Sequence, residues 1–326
     1  MSDKALAISL LAMREEKIAK RRAFFKNVGG FSVGMVAGTL LTACGSSVSN
    51  AIAQAAKPSD GDILNFALNL EYLEAQFYSY AVFGTGLPAN MLTGTGTGTQ
   101  GSIIGGRQVP FRDPIVAQYA KEIAQDEVAH VGFLRAALGA SAVAQPALDI
   151  GGTDPNGAFS VAARAAGLVG PGQAFDPYAN DENFLLGAFI FEDVGVTAYK
   201  GASPLIESKT FLEAAAGILA AEAYHAGLVR TALYAKGLAT PSLRLAANAI
   251  SDARDSLDNS MDQDQGITGT DPTASNIVPL DRNDLAYSRS PGDVPNIVYL
   301  TKESVTMGGF FPRGANGTLN MSSAYV

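Results

Sequence analysis

The chain has 326 residues, of which 47% are hydrophobic and 17% charged, and its formal net charge is −8. This composition indicates a globular protein with a substantial core and excludes a disordered chain. Outside residues 1–55, 16 basic and 28 acidic residues remain, so neither nucleic acid nor an anionic membrane surface is expected as the main partner. Trp is absent and Cys44 is the only cysteine, which excludes a disulfide framework, a cysteine-rich zinc site and an iron–sulfur cluster.

Residues 20–26 read KRRAFFK and precede a weakly apolar, glycine-rich stretch that ends at Cys44. A paired arginine followed by about sixteen small and apolar residues is typical of an export signal, because a membrane span needs about 20 strongly apolar residues. The stretch resembles a twin-arginine translocation signal, with Arg21 and Arg22 as the pair. We therefore expect the twin-arginine translocase as a transient partner and the periplasm or cell envelope as the destination.

Two processing sites compete behind this signal. The segment LTAC (41–44) resembles a lipoprotein box, which would place a lipid on Cys44 and tether the protein to a membrane. The segment AQAA (53–56) offers a small-residue cleavage site that would release a soluble product. The sequence leaves both open, and we assign residues 1–55 to the export signal and a linker.

From Gly61 onward, helical segments alternate with connectors rich in Gly, Pro and Thr. Apolar residues recur at helical spacing in 62–83, 114–138, 181–202 and 205–237, and a shorter amphipathic segment follows at 242–258. Long connectors at 84–113 and 139–180 separate the first three segments. Asp60 or Asp62 is expected to cap the first helix, Pro114 to open the second, and Gly237 with Pro241 to end the fourth.

This pattern predicts an all-α fold, a four-helix bundle with long connectors and a short fifth helix. We assign the bundle to residues 56–258. Residues 259–326 are rich in Asp, Asn, Gly, Ser and Pro. They are expected to form an irregular tail that packs on or wraps the bundle, with its most ordered part at 306–320.

Both histidines of the chain follow a glutamate by three residues, in the pairs Glu127–His130 and Glu222–His225. Residues three apart in a helix share one face, so each pair presents two ligands to one point. On a helical wheel, Glu127 and His130 fall on the same apolar face as Ile123. Because acidic groups are seldom buried without a partner or a metal, one such pair could be a satisfied Glu–His contact, but two pairs favour a metal site.

The first and third helical segments offer one carboxylate each. Glu71 and Glu192 both follow an apolar residue and both precede a tyrosine by seven places, Tyr78 and Tyr199. The first segment therefore matches the third, as the second matches the fourth, which indicates an internal pseudo-twofold. On a helical wheel Glu74 lies nearer the centre of the apolar face, but the matched spacing favours Glu71. Four carboxylates and two imidazoles suit two iron or manganese ions.

These motifs resemble the ferritin-like di-metal carboxylate superfamily, whose site takes one Glu from each of two helices and Glu-x-x-His from each of the other two. The sequence looks most similar to bacterial ferritin-like proteins often labelled desiccation-related. The resemblance covers about residues 61–237 and, more loosely, the segment GGFFPRGANG. It implies two iron or manganese ions with Glu71 and Glu192 as terminal ligands, Glu127 and Glu222 as bridges, and His130 and His225 each completing one ion.

The resemblance also implies a role for Tyr78 and Tyr199 as candidate catalytic residues beside the ligands, although ordinary core tyrosines would fit the pattern equally. It implies redox chemistry on dioxygen or peroxide, either catalase-like or metal-oxidising. One alternative is a non-enzymatic envelope or stress-protection protein with a structural or degenerate metal site. Iron storage in a cage is disfavoured by the long connectors and the tail, and a homo-oligomer remains compatible with the sequence.

Overall fold

The computed structural model describes residues 57–95, 100–269 and 274–325. Seven α-helices lie in these ranges: α1 (Asp60–Phe83), α2 (Pro114–Leu138), α3 (Ala158–Ala165), α4 (Asp181–Ala202), α5 (Lys209–Ala239), α6 (Pro241–Asp255) and α7 (Asp293–Tyr299). The predicted all-α fold is confirmed. No helix in these ranges is long and apolar enough to cross a membrane. The predicted export signal, Cys44 and both cleavage sites lie outside the described residues.

Four long helices form the bundle, with α1 packed chiefly on α2 and α4 packed chiefly on α5. The bounds of α2 and α4 agree with those predicted. Helix α1 begins before residue 62 because Ser59 caps it: the Ser59 hydroxyl accepts from the backbone N–H of Asp62 at 3.2 Å, and the Asp62 carboxylate accepts from the N–H of Ser59 at 2.9 Å. Gly84 ends α1 in the left-handed conformation, with φ of 70°.

Helix α5 differs from its prediction at both ends. Residues Ser203–Leu205 form a 3₁₀ turn and Ser208 caps the helix, which therefore starts at Lys209. Gly237 does not end the helix, which continues to Ala239. A Cβ atom at Gly237 would lie 2.3 Å from Cγ of Arg244 on α6. The glycine therefore allows α6 to pack closely against α5, and does not act as the predicted stop.

The two long connectors contain short elements that helical periodicity does not predict. Helix α3 lies within residues 139–180, which were expected to be a connector throughout. Strands β1 (Ile103–Ile104) and β2 (Leu148–Asp149) pair in parallel, with Ile103 opposite Leu148. Because each strand has two residues, neither shows an alternating pattern in the sequence. The pairing joins the two connectors to each other.

The tail contains a helix, α7, where the sequence predicts irregular structure. Further along the tail, the Phe310 ring lies in the core, and its centroid is 5.0 Å from that of Phe159 and 4.9 Å from that of Phe191. Asn69 on α1 forms two hydrogen bonds of 2.8 Å with the backbone of Asn316, donating one and accepting the other. These contacts place residues of the tail inside the hydrophobic core of the bundle.

A buried ion network links α4, α5 and α6 to the residues that follow them. Its members are three arginines and three aspartates, all of them buried: Arg230, Arg254, Arg289, Asp193, Asp258 and Asp264. Asp193 on α4 accepts from Arg230 at 2.7 Å and from Arg254 at 2.9 Å. Arg289 pairs with Asp258 at 2.7 Å and also with Asp264. Each of these buried charges thereby has a partner of opposite sign.

Candidate metal centre

Six carboxylate and imidazole side chains converge at the centre of the bundle. Helices α1 and α4 contribute one glutamate each, and α2 and α5 contribute one Glu-x-x-His pair each. The ligand atoms form two groups, within each of which all atoms lie no more than 4.8 Å apart; the first contains Glu71, Glu127, His130 and Glu222, and the second Glu192, Glu222 and His225. The six residues predicted as metal ligands therefore lie together, and Glu222 belongs to both groups.

The first group surrounds the Nδ1 atom of His130. Oε2 of Glu71 lies 3.2 Å from this nitrogen, Oε2 of Glu127 3.5 Å and Oε1 of Glu222 3.7 Å. These carboxylates belong to three different helices, so only the folded bundle brings them together. Oxygen and imidazole nitrogen atoms at this spacing can share one cation.

The Nδ1 atom of His225 faces Glu192 of the second group and also Glu127, which belongs to the first group. Oε1 of Glu127 lies 3.0 Å from this nitrogen and Oε2 of Glu192 lies 3.7 Å from it. Glu127 thus presents one oxygen to each imidazole, and the two ring centroids are 6.1 Å apart. Glu127 would therefore be placed to serve both halves of a two-ion site.

Several buried polar atoms of the cluster form no regular hydrogen bond with the described residues, although Oε1 of Glu127 and Nδ1 of His225 lie 3.0 Å apart as an ion pair. The atoms without such a bond are both carboxylate oxygens of Glu127, both of Glu222, Oε2 of Glu192 and Nδ1 of His225. An unsatisfied buried group costs roughly 1–3 kcal/mol, and a charged one more. Two cations would satisfy these atoms, and carboxylates with imidazoles are ligands that iron and manganese accept. The residues present therefore fit a di-metal centre.

The pKa values of the cluster show how it is charged when no cation is bound. Burial raises the pKa of Glu71 to about 7 against the attraction of His130, and raises that of Glu192 to about 8 against the attraction of His225. Burial and the neighbouring carboxylates raise the pKa of Glu222 well above its ordinary range. Burial alone would lower the imidazole pKa values, but the surrounding carboxylates raise both to about 11. Without a metal, protons on these glutamates and histidines therefore balance the negative charge that bound cations would otherwise balance.

The two tyrosines predicted beside the site each contact a carboxylate on the opposite helix. Tyr78 on α1 donates to Oε1 of Glu192 on α4, and Tyr199 on α4 donates to Oε1 of Glu71 on α1. In both glutamates the other oxygen, Oε2, faces a histidine. The phenols therefore orient the terminal carboxylates. Burial and the adjacent carboxylate raise the pKa of both phenols well above the ordinary value, which keeps them protonated.

Asp126 and Asp193 each adjoin a predicted ligand in the sequence and were expected on other faces, either solvated or beside the ligands. Oδ2 of Asp126 lies 3.4 Å from Nε2 of His225, on the side of the ring that faces away from the cluster. Asp193 is buried within the ion network of Arg230 and Arg254. The adjacency in sequence could have suggested the contact of Asp126, but only the packing of α2 against α5 shows which histidine it reaches.

Glu74 is a further buried carboxyl beside the cluster, and it belongs to neither ligand group. Burial raises its pKa well above the ordinary value, and repulsion from Glu127 and Glu192 adds to the effect. It lines a recess together with Phe191 and Gly195. The helical wheel therefore placed Glu74 correctly on the buried face of α1, while the spacing to the tyrosine selected Glu71, one oxygen of which lies 3.2 Å from Nδ1 of His130.

Known proteins resemble this chain over the region that supplies the ligands. The sequence profile of the ferritin-like domain family matches residues 59–235. The desiccation-related protein PCC13-62 of Craterostigma plantagineum is 31% identical over 252 residues, which cover 72% of this chain and 75% of that protein. The ferritin-like catalase Nec2 of Nesocodon mauritianus is 27% identical over 274 residues, which cover 80% and 85% respectively. No solved structure matches the chain significantly.

Proposed function

The chain belongs to the ferritin-like domain family, and from this membership we propose that it is a di-metal protein that decomposes hydrogen peroxide. The observation that carries the proposal is the pair of ligand groups that share Glu222 and contain buried carboxylate oxygens without a regular hydrogen bond. The name of one relative, a ferritin-like catalase, supports peroxide as the substrate. Two iron or manganese ions held side by side would supply a two-electron redox centre.

Peroxide decomposition needs no external reductant, because one peroxide molecule oxidises another. One molecule is reduced to water with two electrons and two protons, and the second is oxidised to dioxygen and releases the same number of each. The six ligand residues would hold the two ions next to each other, and their burial in the bundle would limit access of bulk solvent. Tyr78 and Tyr199 fix one oxygen of each terminal carboxylate, so that the other oxygen stays directed at the centre.

Metal content is the first test of this proposal. The mature protein, purified without added metal, is expected to carry about two iron or manganese ions per chain in elemental mass spectrometry. His130→Ala and His225→Ala should each reduce the content by one ion, and the double variant should bind neither. Addition of peroxide to the wild type should release dioxygen at an oxygen electrode. Unchanged metal content in the double variant would exclude the assigned ligands.

The desiccation-related relative favours a second candidate function, a protective protein of the envelope whose metal site is structural. The two functions differ in turnover. A protein that binds two ions but releases no more dioxygen than the same concentration of free metal would support protection and exclude catalysis. Oxygen release that disappears in the double histidine variant would support catalysis.

Export is a separate proposal, which the segment KRRAFFK supports. The double variant Arg21→Lys with Arg22→Lys should accumulate in the cytoplasm of a host that has the twin-arginine translocase, because the paired arginines are read by that system. Radiolabelled fatty acid would mark Cys44 if the lipoprotein site is used, and Cys44→Ser would abolish the label. An unlabelled wild-type protein would assign processing to the site at 53–56.

A further inference from the structure

The internal pseudo-twofold of the centre is broken directly before the two Glu-x-x-His pairs. The pair Glu127–His130 on α2 corresponds to Glu222–His225 on α5, and Asp126 immediately precedes the first pair. The corresponding residue before the second pair is Ala221. One half of the repeat therefore carries a carboxylate that the other half lacks.

Asp126 contacts only one of the two imidazoles. Its Oδ2 lies 3.4 Å from Nε2 of His225, while Nδ1 of the same ring faces Glu127 and Glu192 inside the cluster. His130 also turns Nδ1 toward the carboxylates. In the part of the chain that the structure describes, no side chain forms a hydrogen bond with Nε2 of His130. The two histidines thus face the centre in the same way and differ in what supports them from behind.

A carboxylate behind a metal-binding histidine has a defined physical effect. It accepts the outer N–H, which fixes the tautomer and the orientation of the ring and strengthens the inner nitrogen as a ligand. Asp126 is 47% exposed and the His225 side chain is 4% exposed. The contact therefore lies at the edge of the centre, where the aspartate reaches the ring from solvent without entering either ligand group.

From this difference we infer that the two metal positions are inequivalent, and that Asp126 is a positioning residue for the ion bound by His225 and Glu192 only. The inference rests on the proposed di-metal centre. The ion bound by His130 and Glu71 depends on its direct ligands, without an equivalent support. Removal of the Asp126 carboxylate should consequently change the metal-binding constant of the His225 position and leave that of the His130 position unchanged.

The test is a calorimetric titration of the metal-free protein with Mn²⁺, and with Fe²⁺ under anaerobic conditions. Asp126→Ala should weaken one of the two sites by about 10–100-fold, the usual effect of losing such a partner, and leave the other unchanged. Asp126→Asn keeps an acceptor without the charge and should restore part of the affinity. Glu122→Ala is the matched control, because it removes an exposed acidic residue from the same helix.

Three further variants assign the affected site. In a His225→Ala background, Asp126→Ala should have no additional effect, whereas in a His130→Ala background it should weaken the single remaining site. Ala221→Asp places a carboxylate at the corresponding position of α5 and should strengthen the site of His130. A purely structural role of Asp126 would produce neither result.

The outcomes separate this inference from the proposed function. If the wild type binds two ions and Asp126→Ala weakens both equally, or neither, the inference is overturned while the di-metal centre stands. If the wild type binds no metal, the di-metal centre itself is overturned, and the inequivalence with it. Selective weakening that depends on His225 supports both.

Discussion

Tyr199 on α4 donates a hydrogen bond to one oxygen of Glu71 on α1, whose other oxygen lies 3.2 Å from Nδ1 of His130. The phenol thus satisfies the oxygen that the cluster does not use and leaves the second one directed at the centre. Since the mirror contact joins Tyr78 to Glu192, both terminal carboxylates are oriented from the helix opposite their own. Helices α1 and α4 therefore depend on each other to build the site.

Tyr199→Phe should weaken metal binding at the position of His130 without unfolding the bundle. It removes the donor to a buried oxygen of Glu71, which should cost roughly 1–3 kcal/mol of unfolding free energy in the metal-free protein. The freed carboxylate should rotate and lower the affinity at that position by about 10–100-fold. Calorimetric titration with Mn²⁺ and urea unfolding measure the two effects.

Tyr178→Phe is the matched control for this prediction. Tyr178 is buried and donates to the backbone oxygen of Ile150 at 2.9 Å, outside the ligand groups. Its loss should reduce the unfolding free energy by a similar amount and leave both metal affinities unchanged. An equal loss of metal affinity in the two variants would show that Tyr199 acts through stability alone.

The metal-free protein should lose stability as the pH rises. The pKa values of Glu71, about 7, and Glu192, about 8, exceed the ordinary carboxyl value of 4.5. Those of the two imidazoles, about 11, exceed the ordinary value of 6.5. A group whose pKa is raised by folding binds its proton more tightly in the folded state, so its contribution is present at low pH and lost between the unfolded and folded pKa. The pKa of Glu127 is instead lowered by the two imidazoles. Its contribution to stability is therefore lost only in acid.

Differential scanning calorimetry from about pH 5 to about pH 9 would check this sign. The unfolding temperature of the metal-free protein should fall across the range, while the stabilisation gained on loading with metal should increase, because bound cations displace the protons of the cluster. A metal-free protein whose unfolding temperature rises with pH would show that the carboxylates are not protonated in the folded state.

The sequence predicted the features of this protein that depend on local periodicity. The bounds of α2 and α4 followed from Pro114 and the apolar spacing, and the Glu-x-x-His pairs needed only the rule that residues three apart share a face. Helices α3 and α7 were missed because helices of eight and seven residues show barely two turns of periodicity. Their positions are set by packing against the bundle, which no local pattern encodes.

Long-range partners were the second limit of prediction from sequence. Asp126 adjoins a ligand of its own helix, yet it contacts a histidine 99 residues away. Arg289 lies in a segment without helical periodicity, yet its guanidinium is completely buried. In both cases the residue type is polar and the sequence alone favours solvent, whereas the folded chain supplies a charged partner from another element.

Arg289→Ala should destabilise the protein by about 3–5 kcal/mol, because it leaves the buried carboxylate of Asp258 without its arginine and Asp264 with Arg254 alone. Arg289 also donates to Thr197 on α4 at 2.9 Å, so the loss should loosen the attachment of the tail. Chemical unfolding measures the free energy, and limited proteolysis within 274–292 reports the tail. Arg313→Ala, at an exposed arginine of the same tail, should change neither.

Gly195→Ala should weaken metal binding, even though alanine favours the helical conformation of α4 more than glycine does. Gly195 on α4 faces Glu222, and a Cβ atom there would lie 2.3 Å from Oε2 and 3.0 Å from the carboxyl carbon of that glutamate. The shared carboxylate would have to move, so both ions should bind more weakly, although Gly→Ala in a helix is worth about 1 kcal/mol in propensity. Gly217→Ala on α5, with no atom within 4 Å of the new methyl group, should gain that stability and keep its metal. Elemental analysis of the two variants compares the same chemical change with and without the contact to Glu222, and two ions retained in Gly195→Ala would exclude Glu222 as the shared ligand.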